Sequence, residues 1–225
     1  MVFQGLPFDD LSEAVDEMKD LGFEGGEAKE VAEMVIEEAE YDLENAKLLY
    51  ENLKDDAEAI FSDLGLETFS FVGNPSQPSK FVMAKDAEEG FKSTSPILKD
   101  KDLDEEFEVI YAPVMQPSAV DKDGEVIPTE VIKESAHEFL AQGKTDQIDA
   151  DHELITGKGE LVESWILKED KSYDLPKSYD DDTFTVPKGS WMVGVEPTDS
   201  VKEKIRDGEF TGFSIFGEAE RIELR

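Results

Sequence analysis

The chain has no cysteine and few cationic side chains. Its 225 residues include only 2 His and 22 Lys plus Arg. Without cysteine there is no disulfide framework, no thiol catalysis and no thiolate metal site. No apolar run approaches the roughly 18 residues of a membrane-spanning helix, and the N-terminus lacks the basic and apolar regions of a signal peptide. We therefore expect a soluble, non-secreted protein that does not enter a membrane.

Acidic side chains are in large excess. The 56 Asp and Glu residues give a formal net charge of -34. A folded domain with this charge repels itself unless salt screens it, and the Debye length falls to about 3 Å at 1 M. The acids are interleaved with apolar residues rather than gathered in a tail, which excludes a disordered acidic extension. We expect a protein adapted to multimolar salt, from a haloarchaeal cell or its virus, that does not bind nucleic acid in general.

The pattern along the chain predicts three parts. Residues 1–66 are an acidic helical segment, with one helix starting after Asp9 or Asp10 and a longer one over 27–64 that carries a one-sided apolar stripe. Residues 67–106 are a connector, with short strands at 69–72 and 81–83 followed by a polar linker from Lys92. The one-sided stripe suits a helical hairpin or a partner helix, and the alternative is an ordinary amphipathic helix folded onto the rest of the chain.

Residues 107–225 read as a separate α+β domain. Thr129 can cap a helix that runs to about Ala141, and a second helix covers 199–206. Residues 168–188 read as a polar loop. Strands are expected at 107–112, 148–154, 161–167, 191–195 and 213–216, with a further extended stretch at 219–224.

Ser214 and His152 are the candidate catalytic pair. Ser214 lies in a strand pattern between Gly212 and Gly217, and His152 lies in a polar stretch. A serine attacks only when a base accepts its proton, and histidine is the usual base near neutral pH. The spacing alone is weak, since a strand-end serine and a solvated histidine are common. His137 sits mid-helix among charges and is expected to be solvated.

Several short blocks follow one another in the C-terminal half. They are a loop at 120–125, a helix at 136–140, His152, a strand at 161–165, and the blocks 188–195 and 205–215. In this order they resemble the phage prohead maturation serine proteases of the XkdF type, over residues 107–221. The stretch 71–75 is also similar to the Asn-Pro segment often found ahead of that domain.

This resemblance implies an assemblin-like β-barrel with flanking helices, preceded here by the acidic helical segment, which would act as a scaffold-like part or as a tether within the prohead. It implies a serine endopeptidase that cleaves scaffold, capsid-protein extensions and itself. Its partners would be the scaffold and the major capsid protein, inside the prohead in the host cytoplasm or retained in the virion. No cofactor or metal is implied, and self-association, including a homodimer, stays open.

The resemblance also implies roles for individual residues. Ser214 would be the nucleophile and His152 the base, with backbone N–H groups and Arg221 holding the oxyanion. Glu163 is the first choice for the third catalytic residue. The alternatives are Asp151 and Glu153, which are adjacent to His152 in sequence, and Asp123 and Glu125 in the preceding loop. Phe216 departs from the family pattern, where a small residue is usual after the serine.

Two other interpretations stand beside the protease. The chain could be a catalytically inactive structural or scaffold component that keeps the protease fold, although the presence of both Ser214 and His152 favours catalysis. It could also bind a cation with oxygen ligands around His152, namely Asp149, Asp151 and Glu153, although the glycine turn of a calcium loop is missing.

Overall fold

A computed structural model describes residues 5–73, 82–83, 90–98, 109–120, 124–151, 153, 155–174 and 183–224. Its helices are α1 (Leu11–Leu21), α2 (Gly25–Tyr41), α3 (Leu43–Asp55), α4 (Thr129–Ala141) and α5 (Asp199–Arg206). Within these described ranges no helix is both long enough and apolar enough to cross a bilayer.

The strands form a six-stranded sheet, a three-stranded sheet and a hairpin. The six-stranded sheet contains β1 (Ala59–Val72), β2 (Val82–Met83), β3 (Gly90–Pro96), β5 (Glu125–Val126), β6 (Ile148–Ala150) and β11 (Gly212–Glu223). The three-stranded sheet contains β4 (Ile110–Met115), β7 (Gly159–Ile166) and β10 (Trp191–Pro197), and the hairpin pairs β8 (Lys171–Asp174) with β9 (Thr183–Val186).

Strand β1 is the centre of the larger sheet. It pairs antiparallel with β11 along its whole length, from Ala59 opposite Glu223 to Val72 opposite Gly212. Its other edge pairs in parallel with β5 near its start and with β6 near its end. On the far side of β11 lies β3. The sheet order at the end of β1 is therefore β6, β1, β11, β3.

The two larger sheets meet at two seams. At one, the backbone N–H of Leu98 donates to the carbonyl of Tyr111 at 2.8 Å, and at the other Lys158 N–H donates to the Ile148 carbonyl at 2.9 Å. Leu98 and Tyr111 form an isolated bridge, and at the second seam backbone hydrogen bonds join residues 145–148 to residues 157–161 without a strand pairing of β6 with β7. In the described part of the chain no sheet closes into a barrel. The α+β class is confirmed, whereas the assemblin-like barrel is not.

The predicted helix over 27–64 is wrong. Asp42 is extended, and its carboxylate accepts hydrogen bonds from the backbone N–H groups of Glu44 and Asn45, so that it ends α2 and caps α3. From Ala59 onward the chain is strand β1. The error has a simple cause, because Ile60 and Leu64 are four positions apart and this spacing fits both the helical and the strand period. The predicted boundary after residue 66 falls inside β1.

Three further segments differ from the prediction. The expected polar linker contains β3, and the expected loop over 168–188 contains the β8–β9 hairpin. The extended stretches 213–216 and 219–224 form the single strand β11. Helices α4 and α5 have their predicted bounds, but Pro128 precedes α4 and supplies no side-chain cap, so Thr129 is its first helical residue.

The sheet has one apolar face at its centre. Phe69 and Phe71 of β1 and Phe213 and Ile215 of β11 belong to one buried cluster, together with residues of α4 and β10. A second cluster joins α1, α2 and α3 to Ile60, Val126 and Ile222 at the other end of the sheet. Because strand side chains alternate, the residues between these apolar ones, including Ser70 and Ser214, lie on the opposite face.

Candidate active site

Ser214 lies at the centre of the six-stranded sheet, opposite Ser70 on β1 and Thr94 on β3. The residue is fully buried at 0% exposure, and its hydroxyl has no hydrogen-bond partner within the part of the chain that the structure describes. A buried hydroxyl without a partner costs about 1–3 kcal/mol, so such groups are rare and call for an explanation. The hydroxyl of the candidate nucleophile is therefore available to form a hydrogen bond with a base or a substrate.

Next to Ser214 is a buried pair formed by Ser70 and Asp149. Ser70 is opposite Asp149 in the parallel pairing of β1 and β6, and its hydroxyl donates a hydrogen bond to the Asp149 carboxylate. Both residues are buried. Three polar side chains on three adjacent strands thus follow one another across one sheet face, in the order Asp149, Ser70, Ser214.

His152 itself lies outside the described residues, but both of its neighbours are placed. The backbone N–H of Asp151 donates to the Phe71 carbonyl at 2.9 Å, and that of Glu153 donates to the Ala150 carbonyl at 3.2 Å. Asp151 has a φ of 54°, in the left-handed region, which turns the chain as β6 ends. The residues flanking His152 lie at the end of β6, and β1 alone separates that strand from Ser214 on β11.

Glu163 lies in the other sheet. It is opposite Gly194 in the pairing of β7 with β10, it is exposed, and its carboxylate accepts a hydrogen bond from the Tyr111 hydroxyl at 3.1 Å. Burial of Tyr111 and this hydrogen bond raise the pKa of the tyrosine hydroxyl. No contact joins Glu163 to Ser214 among the residues described, and its catalytic role stays a prediction.

The remaining acids around the site have different surroundings. Asp151 and Glu153 are exposed, and Asp123 lies outside the described residues. Glu125 is buried and forms an ion pair with Arg221. Arg221 is seven positions along β11 from Ser214, or about 23 Å at the rise of a strand. The predicted contribution of Arg221 to an oxyanion site is therefore wrong.

The cation hypothesis gains no support from the placed side chains. Asp149 is buried and bonded to Ser70, whereas Asp151 and Glu153 point to the surface. Over the described ranges, no group of three or more His, Cys, Asp or Glu side chains is arranged to hold a metal ion.

Ser70 is not among the residues that the sequence singles out, and Asp149 is there only a candidate cation ligand in the predicted strand at 148–154. One signal could have found both. Residues 69–71, 148–150 and 213–215 each place one polar residue between two apolar ones. In a strand this alternation sends the polar side chain to the face opposite the core.

The fold and this face define an α+β protein with a buried serine on a central strand. A profile of the family described as "Putative phage serine protease XkdF" matches residues 95–223, more than half of the chain. The chain belongs to this family, which confirms the predicted XkdF-type relationship. Ser214, Glu163 and Asp149 lie within the matched residues, and Ser70 lies before them.

Two curated proteins of Bacillus subtilis (strain 168) are similar to the chain. "Uncharacterized protein YqbD" is 33% identical over 147 residues, which cover 65% of this chain and 42% of that protein. "Phage-like element PBSX protein XkdF" is 29% identical over 154 residues, which cover 68% of this chain and 52% of the relative. The chain thus spans about half the length of these relatives. The search of solved structures found no match.

Proposed function

We propose that the chain is a serine endopeptidase of phage capsid maturation. It cleaves the scaffold, extensions of the major capsid protein and itself, inside the prohead in the host cytoplasm. Membership of a phage serine protease family supports the class of reaction. The observation that carries the proposal is the Ser214 hydroxyl, buried at the sheet centre with no partner in the described part of the chain.

In the proposed reaction, the Ser214 oxygen attacks the scissile carbonyl while His152 takes the hydroxyl proton. His152 then returns that proton to the leaving amine, and water hydrolyses the acyl-enzyme by the same route. Backbone N–H groups near Ser214 stabilise the oxyanion, in the way that fixed donors do in other acyl-transfer enzymes. The position of the residues that flank His152, one strand away from β11, is compatible with this pairing.

The fold around this site belongs to the same proposal. We propose an assemblin-like barrel whose wall includes both larger sheets, and the hydrogen bonds at the Leu98 and Lys158 seams support it. An experimental structure of the chain would test it. Continuous pairing across both seams is expected, and two open sheets would contradict the barrel.

One observation favours a second function. Ser214 has no exposed surface, so a substrate carbonyl reaches it only if the side chains covering this face move. A catalytically inactive structural component of the virus particle, which keeps the protease fold, needs no such movement. The two functions differ in whether the Ser214 hydroxyl ever reacts.

The test is autoprocessing, together with cleavage of co-expressed scaffold and capsid protein, in about 2–3 M KCl, where charge repulsion is screened. We expect the wild type to cleave, and Ser214→Ala and His152→Ala to leave all chains intact by mass spectrometry. Ser135→Ala is the matched control, because Ser135 on α4 also has a buried hydroxyl without a described partner. An intact wild type whose Ser214 resists a fluorophosphonate would establish the structural alternative.

Glu163→Gln in the same assay decides whether that carboxylate belongs to the site. A loss of cleavage comparable to that of His152→Ala would support the catalytic role of Glu163. Cleavage at the wild-type level would refute it.

A further inference from the structure

The polar row Asp149, Ser70, Ser214 contains a directional hydrogen bond. A serine hydroxyl has one hydrogen to donate, and Ser70 donates it to the Asp149 carboxylate. Ser70 therefore meets its other neighbours as an acceptor. The residue across the strand pair is Ser214, and directly opposed residues have Cβ atoms only about 4.5–5.5 Å apart.

The direction of this hydrogen bond matters for a nucleophile. A donor beside Ser214 would occupy a lone pair of the oxygen that attacks the carbonyl, whereas an acceptor leaves that lone pair free. Asp149 keeps the hydrogen of Ser70 turned away from Ser214. The Ser214 hydroxyl, which is buried without a described partner, then keeps its lone pairs for the carbonyl and its proton for the base.

We infer that Asp149 and Ser70 are positioning residues for the nucleophile: Asp149 acts through Ser70 to keep the Ser214 oxygen free to attack. This inference rests on the proposed protease function and deepens it. It adds Ser70, a residue before the family-matched segment, and gives a mechanistic role to the buried Asp149 in place of a cation site.

The inference predicts an unusual order of reactivity among variants. Asp149→Leu removes the acceptor of the Ser70 hydroxyl and leaves that hydroxyl to donate to Ser214, so it should slow the nucleophile most. Ser70→Ala removes the neighbouring donor as well as the acceptor, so it should slow the nucleophile less. The double variant should behave like Ser70→Ala, which means that it reacts faster than Asp149→Leu alone. A purely structural role predicts the opposite, with the double variant equal to or worse than either single change.

The experiment measures the rate at which a small fluorophosphonate labels Ser214 in the full chain, in about 2–3 M KCl, by intact mass. Labelling should fall about 10- to 100-fold in Asp149→Leu, the range known for residues that orient the ligands of a metal site. With peptide substrates kcat should fall while KM stays near the wild-type value. Ser70→Thr keeps the hydroxyl and should recover most of the labelling that Ser70→Ala loses.

Thr68→Val is the matched control. Thr68 lies two positions before Ser70 on the same sheet face, and its buried hydroxyl has no described partner. Its loss should leave labelling within about threefold of the wild type. Melting temperatures identify any variant that fails to fold. If Ser70→Ala does not fold, the double variant, which has no carboxylate at position 149, can still be compared with the single change at that position.

The outcomes separate this inference from the proposed function. If the wild type is labelled and Ser70→Ala reacts at the wild-type rate, or if the double variant is no faster than Asp149→Leu, the positioning role is refuted and the protease remains. If the wild type is never labelled, the protease falls and the positioning role with it.

Discussion

Glu38 on α2 caps helix α4. Its carboxylate accepts hydrogen bonds from the backbone N–H of Thr129 at 2.6 Å and from the Thr129 hydroxyl at 2.7 Å. Both residues are buried, and they are 91 positions apart in the chain. A helix N-terminus has N–H groups without intrahelical partners, and Pro128 offers no side chain to satisfy them. A side chain of the acidic helical segment therefore caps a helix that lies within the family-matched region.

Removal of this cap should destabilise the protein. Glu38→Ala leaves the Thr129 N–H and hydroxyl buried without their acceptor, at an expected cost of about 1–3 kcal/mol in the free energy of unfolding. Urea unfolding at high salt measures it. Glu37→Ala is the control, because Glu37 is exposed and lies among like charges, including Glu33 and Glu130. The control should not destabilise, and equal losses in both variants would contradict the capping role.

The same contact should make stability depend on pH. Burial raises the pKa of the Glu38 carboxyl, against the opposing effect of the Thr129 hydrogen bonds. A carboxyl whose pKa is higher in the folded state gives its full contribution below its ordinary pKa, and loses it as the pH rises through the folded value. The melting temperature of the wild type minus that of Glu38→Gln should therefore fall from pH 4.5 to pH 7. A difference that grows with pH would overturn this assignment.

The sequence predicts the fold best where the pattern is local. The sequence predicts helices α4 and α5 at their observed bounds, because Thr129 and Gly143 flank the first and Asp207 and Gly208 follow the second. The prediction fails for β1, whose partner residues on β11 lie 140 or more positions away and whose apolar spacing also fits a helix. In the β8–β9 hairpin only the four residues Thr183–Val186 alternate polar with apolar side chains, and β8 carries exposed polar residues such as Ser172, so the signal is too short to separate the hairpin from a polar loop.

The same contrast holds for the candidate site. Ser214 can be singled out from the sequence, because few serines lie in a strand pattern flanked by glycines. The alternation at 69–71 and 148–150 marks Ser70 and Asp149 as polar residues off the core face, but it does not identify them as neighbours of Ser214, since they come from β1 and β6 and only the sheet order brings them together. The sequence favours Glu163 because it lies on the predicted strand that follows His152. The structure instead puts the nearer buried carboxylate, Asp149, just before that histidine.

A cluster of three aromatic rings should dominate the core. Phe139 of α4 packs edge-on against Phe69 at a centroid distance of 4.9 Å and against Trp191 at 6.1 Å. Phe139→Ala should cost about 3–5 kcal/mol, because it leaves a cavity behind the central strand. The adjacent Leu140 is 39% exposed, and Leu140→Ala should change stability by no more than about 0.5 kcal/mol. Similar losses in urea unfolding would show that α4 packs through a different face.

The net charge of -34 should make the folded state depend on salt. Only 22 Lys and Arg face 56 acids, so ion pairs cannot neutralise the surface, and most described pairs are partly or largely exposed. Exposed pairs contribute little to stability. At neutral pH the melting temperature should therefore rise steeply between about 0.2 and 3 M KCl, as the Debye length falls from roughly 7 to below 3 Å.

Salt also strengthens apolar burial, so the rise alone does not identify charge repulsion as its cause. The control is the same titration near the isoelectric point of about 4.2, where most of the net charge is gone. If repulsion is the cause, the salt effect should shrink strongly there, because there is little charge left to screen. An equal rise at both pH values would assign the effect to apolar burial, and a flat profile at pH 7 would contradict the expected adaptation to multimolar salt.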